Sequence, residues 1–395
     1  MIHRPRRELR TGQFIRVVDR RGEFVAWGIF SPNGSLAVRV LSECESDRPG
    51  PEFFYNRLKS AMDFRETILS PQIQSDAYRV VHGEADGLSG LIVDKYADVI
   101  VIEPYSAGYI RSADWIISAL TELYPGCRVA FRPDATTVER EGVAAESAEL
   151  VRKHGPPASV TIRERSIKMN VDFRSGHKTG YFLDQRNNRA AISGMSAGKN
   201  ILDLFCYTGG FSISAAAAGA ATVTAVDLDE NALRTAKSNA HLNGVRPEFI
   251  HADVFDFLRE RVKTGRTADI VILDPAKLAG VRDEIPRAKR TYDDLNRLAM
   301  KTVAPGGVLL TCSCSGFISE PEFLSILSYA AMEAGVVLQI FRIAGASPDH
   351  PVSSAFPEGR YLKAVFARVT TGSGRPILAE EVINPKPRRL TGEAS

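Results

Sequence analysis

Residues Asn200 to Asp227 read NILDLFCYTGGFSISAAAAGAATVTAVD, and their order decides the fold. A short apolar run, ILDLF, meets a Gly-Gly turn, an Ala-rich helical segment follows, and a second apolar run, TVTAV, ends on Asp227. Strand, glycine turn, helix, strand and carboxylate make half of a nucleotide-binding α/β fold. A pyrophosphate binder carries G-x-G-x-x-G, so that backbone amides can approach the phosphates. Here Asp203 precedes a single Gly209-Gly210 pair, and an acidic residue suits a cationic ligand without phosphate. S-adenosylmethionine, which has an ammonium group and a sulfonium, meets that requirement. In this reading Asp203 and the turn hold its amino-acid end, and Asp227 accepts hydrogen bonds from the ribose hydroxyls. A nicotinamide-dinucleotide enzyme is the alternative that the same fold admits.

Working outward, strands and helices alternate beyond about residue 176: ILDLF, TVTAVD, EFIHAD, DIVILD, GVLLTCSC, VLQIFRIAG and YLKAVFARV. These seven runs predict a Rossmann-like, mainly parallel, doubly wound α/β sheet with a late antiparallel edge. At the other end, residues 12 to 41 read as hairpins of a small barrel (GQFIRVVD, EFVAWGIF, LAVRVLS). A helical pattern runs from about Glu52 to Leu69, stopped by Pro71. From Tyr78 come three β-like runs, an amphipathic helix over 110–124, the strand CRVAFR, a polar surface loop over 138–158 and the hairpin VTIRERSIKMNVDF. The expected division is a β-barrel domain with its following helix over 1–70, a middle α+β domain over 71–175, the nucleotide-binding domain over 176–371, and a flexible tail over 372–395.

A chain of 395 residues, 44% hydrophobic and 25% charged, is long enough for two or three ordinary soluble domains. No apolar run approaches the roughly 20 residues a membrane helix needs, and MIHRPRRELR lacks the apolar core of a signal peptide. Five cysteines, an odd number without a C-x-x-C pair, argue against a disulfide framework or a structural zinc. The expected location is cytoplasmic, with no metal and no membrane partner. A formal charge of +3 is too small to demand a nucleic acid. Basic clusters at 3–10, at 282–290 (RDEIPRAKR) and at 385–389 (PKPRR) are solvated faces or tails unless a polyanion binds them.

Ligands of open α/β sheets bind beyond the carboxyl ends of the strands. There the sequence places Asp203, Asp227, Asp253 (facing an adenine amino group), Asp274-Pro275 and the pair Cys312 and Cys314. An ordered series of four carboxylates is not coincidence. The cysteines select the reaction: a thiolate adding to carbon 6 of a pyrimidine makes carbon 5 an enamine nucleophile toward a methyl sulfonium. Asp274 is placed to hydrogen-bond the ring N3 and exocyclic amine, and Pro275, with no N–H and a fixed φ, shapes the strand exit. Cys312 and Cys314, two apart, share a side of a continuing strand, so spacing admits either as nucleophile; as small buried hydrophobes they would be inert. Cys206 in the turn reads as packing. Phe205 and Tyr207 of the turn, with Arg186 upstream and Asp274 in a second role, complete the candidate cofactor contacts. The segment GHKTGYFLDQRNNR (176–189) is either a linker with Asp184 as a helix N-cap or a lid that sets Tyr181 and Phe182 against the adenosine.

These motifs resemble those of the class I S-adenosylmethionine-dependent 23S ribosomal RNA methyltransferases of the cytosine-5 type with an N-terminal PUA domain. The resemblance runs from about Thr11 to Val369 and is carried by EADGLSGLIVDKY, GHKTGYFLDQRNNR, DLFCYTGGFS, Asp274-Pro275, CSCSG and DHPVSSAFPEGRYLKAVF. It implies a PUA barrel, a middle α+β domain and a methyltransferase domain that forms 5-methylcytosine in 23S ribosomal RNA or a large-subunit precursor. The family's nucleophile is the cysteine before Ser-Gly, which carries over to Cys314, with Cys312 second. The cofactor contacts carry over to Asp203, Gly209, Gly210, Asp227 and Asp253. One departure stands out: Asp274-Pro275-Ala276-Lys277-Leu278 replaces the family's Asp-Pro-Pro-Lys-Phe, which reshapes the base pocket. A base-nitrogen (guanine) methyltransferase, which needs no thiol, and a non-catalytic RNA-binding assembly factor, which needs no cofactor pocket, are the competing readings. Oligomeric state is open at this level.

Overall fold

The structure, a computed structural model, describes residues 8–33, 36–70, 74–174 and 179–371. The tail from Gly372 with its basic run, the basic residues of segment 3–7, Pro71 and the start of the 176–189 motif lie outside the described residues. No helix among the described residues is long and apolar enough to cross a membrane.

β1 (Phe14–Val18), β2 (Phe24–Phe30) and β3 (Val38–Ser42) form a three-stranded antiparallel sheet in chain order. Asp19 closes its first hairpin by accepting from the backbone N–H of Arg21 (2.8 Å) and Glu23 (3.0 Å), the usual use of Asp in a turn. The helix Pro51–Asp63 starts on a proline, where the missing N–H is not needed. Its buried face, Phe53, Phe54, Leu58 and Ala61, shares one core with Val80, Leu91, Ile116 and Leu120 of the next unit.

That unit is a sheet of β4 (Ala77–His82), β5 (Leu91–Tyr96), β6 (Val99–Pro104) and β7 (Arg128–Phe131), paired in that order. Only β6 and β7 are parallel, joined by a helical crossover. The hairpin of β8 (Ser159–Glu164) and β9 (Ile167–Asp172) contributes Ile162, Met169 and Val171 to the core on the other face, with Tyr96 and Val101. The surface loop expected over 138–158 is instead mostly helical, with helices Ala135–Glu141 and Ala144–His154. Asp134 caps the first by accepting from Thr137 N (2.7 Å), and the buried Glu141 carboxylate accepts from Ala107 N (2.5 Å). Polar residues form the inward anchors there, so an apolar periodicity is missing.

The large sheet runs β12 (Glu248–His251), β11 (Thr222–Asp227), β10 (Asn200–Leu204), β13 (Ala268–Leu273), β14 (Val303–Ser313), β16 (Lys363–Thr371), β15 (Val336–Ala344). The expected doubly wound Rossmann-like sheet is present, with one correction. The antiparallel strand β16 is inserted between β14 and β15 and is not the edge. Burial sorts the two: Ala364 to Ala367 are completely buried and need cover on both sides, whereas β15 leaves Ile340 and Phe341 exposed.

A buried seam of charges locks the middle sheet to the large one. Asp349 accepts from both terminal nitrogens of Arg186 (2.6 and 3.2 Å) and from Arg79 N (2.9 Å), and its carbonyl accepts from Arg65 (3.0 Å). Arg79 pairs in turn with Asp94 (2.8 and 2.9 Å). Glu164 of β8 grips Arg189 through two bonds of 2.6 and 2.7 Å. Bidentate pairing and extra backbone bonds are what make such buried charges tolerable.

Candidate active site

β10 delivers Asp203 as a carboxylate only 1% exposed. Its Oδ2 accepts from the Ser212 hydroxyl in the helix Gly210–Ala217, and its Oδ1 is buried without a hydrogen-bond partner. The chain then turns through three left-handed positions: Phe205 (φ 63°), Tyr207 (φ 49°) and Gly209 (φ 85°). Non-glycine residues held there cost about 1–3 kcal/mol each and mark turns that the surroundings over-determine. Here Asp227 supplies the restraint, accepting from Tyr207 N (2.8 Å) and Asp229 N (2.9 Å). Gly210 permits a close approach, since a Cβ would stand 3.0 Å from the Tyr181 hydroxyl and 3.1 Å from Arg189 Cδ. Phe182 meets the Tyr207 ring edge-on at 5.1 Å, so the aromatic part of the upstream motif lies against the turn.

Burial pushes the Asp203 carboxyl up to about 7, against the hydrogen bonds from Ser212 and with the added repulsion of Asp274 and Asp227. A cation beside this cluster relieves the repulsion and gives the orphaned Oδ1 a partner, whereas a phosphate would add to it. The residues present therefore fit S-adenosylmethionine. Affinity for it is expected to rise as pH is raised from about 5 to about 8, weakening by up to about tenfold per unit below the Asp203 midpoint of about 7. Calorimetric titration of wild type beside Asp203→Asn checks this: the slope should vanish in the variant. A flat wild-type profile would remove Asp203 from contact with the cation.

Asp253 ends the loop after β12 and caps the helix Val254–Lys263, accepting from Asp256 N (3.1 Å). Arg186 does not join the turn. Its guanidinium, 1% exposed, is committed to Asp349 in the seam, which corrects the expectation of a cofactor contact. Asp184 is no helix cap either: a 3-10 turn, Leu183–Gln185, precedes the helix Arg186–Ser193, and the Asp184 carboxylate accepts from the Tyr361 hydroxyl (2.6 Å).

β13 and β14 run parallel with Leu273 opposite Thr311, which brings Asp274 level with Cys312. Gln185 donates to Asp274 Oδ2 (3.0 Å), and Asn188 donates to Gln185 Oε1 (2.7 Å), which fixes the orientation of the Gln185 amide. Cys312 is fully buried, and burial together with the Asp274 charge pushes its thiol well above the ordinary range. Burial acts the same way on Cys206, beside Asp203 and Asp227. Both remain thiols at neutral pH. Cys314 lies just past β14, half-buried, within electrostatic reach of Tyr292, Tyr361 and Lys363. Ser315 Oγ accepts from Leu278 N (3.2 Å) and Ala279 N (3.1 Å), so the CSCSG and DPAKLAG loops form one wall.

Four residues of this wall carried no role in the sequence: Gln185, Ser315, Tyr361 and Lys363. Each sits in or beside a block carrying the family resemblance, but only the contacts across the fold give it a task. His82 of β4 also faces this region, its ring 6.2 Å from Tyr361, and burial next to Arg79 brings it down to about 2, so it is a neutral imidazole.

Residues 140–365 match the family profile of S-adenosylmethionine-dependent methyltransferases, and residues 1–43 match that of PUA-like domains. The ribosomal RNA large subunit methyltransferase I of Photobacterium profundum is 40% identical over 355 residues, 89% of each chain. Its namesake from Aeromonas hydrophila subsp. hydrophila is 39% identical over 361 residues, 90% of each chain. The chain belongs to this methyltransferase family. S-adenosylmethionine is its methyl donor, as the acidic turn led us to expect. A SAM-dependent methyltransferase structure from Streptococcus mutans aligns over 91% of this chain and 92% of its own with a TM-score of 0.76 and 21% identity. A methyltransferase solved in complex with SAH aligns over 92% and 93%, with a TM-score of 0.78 and 21% identity. At that identity the likeness shows the fold alone, an α/β methyltransferase sheet behind a PUA-like N-terminus.

Proposed function

We propose that this methyltransferase forms 5-methylcytosine in 23S ribosomal RNA through a covalent adduct of Cys314 with carbon 6 of the target base. The observation that carries the reading is a half-buried thiol and an oriented carboxyl group, Cys314 and Asp274, at the exits of two neighbouring parallel strands. The names of the relatives, large-subunit ribosomal RNA methyltransferases, support the substrate class.

In this reading the target cytosine is flipped into the space between Asp274 and Cys314. Asp274, held by Gln185 and in its protonated form, donates to N3 and accepts from the exocyclic amine. The Cys314 thiolate adds to carbon 6 and leaves carbon 5 nucleophilic; the bound donor supplies the methyl group from its sulfonium. Loss of the carbon-5 proton then expels the thiolate. Asp203, Phe205, Tyr207, Gly209, Gly210, Asp227 and Asp253 hold the donor. Lys277, Arg282, Arg287 and Arg290, all exposed beside the Asp274 loop, grip the RNA backbone, so affinity falls with salt. Residues 1–70, 71–175 and 176–371 act as the RNA-binding, middle and catalytic units of a cytoplasmic enzyme.

Transfer of tritium from methyl-labelled S-adenosylmethionine to undermodified 23S ribosomal RNA, followed by nucleoside analysis, tests the product. Label is expected in 5-methylcytidine. Label in a methylguanosine would overturn the pyrimidine mechanism, and no transfer to any RNA despite donor binding would overturn the enzyme reading.

A further inference from the structure

Cytosine presents N3 and its exocyclic amine on one side of the ring and carbon 6 on the other. In the reading above, one base must meet Asp274 and Cys314 at the same time, so the separation of the two groups sets how well it can. The last register pair of β13 and β14 is Leu273 with Thr311, so both groups lie past the point where these strands space each other. Beyond it, the backbone N–H groups need other partners.

Ser315, next in the chain to Cys314 and fully buried, restores a link at that level. Its Oγ accepts from Leu278 N (3.2 Å) and Ala279 N (3.1 Å) of the loop that Asp274 opens. A serine hydroxyl has two lone pairs and one proton. The two amides take both lone pairs, so the proton goes to the Tyr292 hydroxyl oxygen, 3.1 Å away. Tyr292, also fully buried, stands on the helix Ile285–Met300, which follows the same loop. Every bonding position of the hydroxyl is thus filled from the Asp274 side of the site. The Ser315 carbonyl is held from elsewhere: it accepts from Lys363 Nζ (2.7 Å) and Ile318 N (3.1 Å), and Nζ also donates to the Tyr361 carbonyl (2.9 Å). Lys363, 2% exposed, opens β16 as the register partner of Ser313.

We propose that Ser315 is a positioning residue whose hydroxyl fixes the spacing between Cys314 and Asp274 that a pyrimidine must bridge. This rests on the reading of Cys314 as nucleophile and Asp274 as the contact to the base edge. Ser315 acts through the backbone of its neighbour on one side and the 274–279 loop on the other. An alanine in its place leaves the N–H groups of Leu278 and Ala279 without their acceptor in a buried wall, and the loop must move to find others. A displacement of about 1 Å slows a positioned reaction on the order of 10- to 100-fold. The donor turn, built on other strands, is left as it was.

The test compares full-length wild type with Ser315→Ala on 23S RNA transcribed with 5-fluorocytosine in place of cytosine. There the methylated adduct has no carbon-5 proton to lose and stays as a covalent protein–RNA complex, read by denaturing electrophoresis. Adduct formation, and methyl transfer to ordinary RNA, are expected to fall by about 10- to 100-fold in S315A. Alkylation of Cys314 by iodoacetamide, which needs the sulfur alone, and donor affinity should stay within about threefold of wild type. That split separates spacing from general damage, which lowers all four. An unchanged adduct rate overturns the proposal, and so does an equal fall in alkylation, which places the effect on the sulfur itself. Should S315A not bind donor, the decision passes to Tyr292→Phe, which removes only the acceptor of the Ser315 proton. Adduct formation should then fall by about threefold or more with alkylation unchanged, and no fall overturns the proposal. An adduct absent from wild type, or present in Cys314→Ala, rejects the nucleophile and the proposal with it. One lost in C314A but unchanged in S315A rejects the spacing role alone.

Discussion

Cys314→Ala is expected to abolish methyl transfer, with a loss of at least about 10³-fold, or about 4 kcal/mol of barrier, while donor affinity stays within about twofold of wild type. The reasoning is positional. Removing the thiol takes away the covalent step and leaves untouched the turn made by Asp203, Gly209 and Asp227, which lies on other strands. Cys312→Ala is the informative comparison. Its side chain is fully buried and its thiol is held protonated, so truncation removes packing against the inner strands and not a reactive group. Activity in C312A should remain within about tenfold of wild type, with a modest loss of stability. Single-turnover transfer beside donor binding separates the two. Equal losses in both variants would show that the strand end, not one sulfur, is required.

Asp349→Ala should produce the largest loss of stability. It would strand the Arg186 guanidinium, 1% exposed, without its carboxylate and remove the acceptor for Arg79 N. Breaking a buried pair by removing one partner costs roughly 3–5 kcal/mol. The exposed pair of Glu260 and Lys263, 4.0 Å apart, is the control, and Glu260→Ala should change stability by less than about 1 kcal/mol. Burial alone would raise the Asp349 carboxyl, but His350 and Arg186 beside it hold it well below the usual carboxylate range. A depressed acid stabilises the fold fully above its unfolded pKa, and the contribution fades as pH falls below about 4. Urea denaturation at neutral and acidic pH checks both magnitude and sign. A D349A protein as stable as E260A would mean that solvent reaches the seam.

The acidic residues at the ends of β10, β11 and β13 were legible because each follows an apolar run of strand length, a signal confined to a few neighbouring residues. The same holds for the glycine turn and for the order of the seven runs. The helices over 135–154 were not legible, because Glu141 and Thr137 are buried polar anchors and erase the apolar period. Arg186 was misread for a different reason. Its partner lies 163 residues away, and a guanidinium beside a cofactor turn looks the same on paper whether it faces the ligand or the seam. Cys312 and Cys314 were equivalent by spacing, and exposure separates them: one is sealed inside the sheet and the other emerges past its end.

By itself, the sequence determined the parallel sheet, the acidic turn and with it a cationic donor, because hydrophobic period, turn chemistry and charge sign act over a few residues and need no knowledge of the rest of the chain. The tertiary structure alone decided that β16 is inserted between β14 and β15, that Gln185 orients Asp274, that Arg186 serves the seam, and that the Lys363 amine is held by the carbonyls of Ser315 and Tyr361. Each depends on which distant groups are buried together, where the loss of water makes a missing partner costly and so selects the pairing.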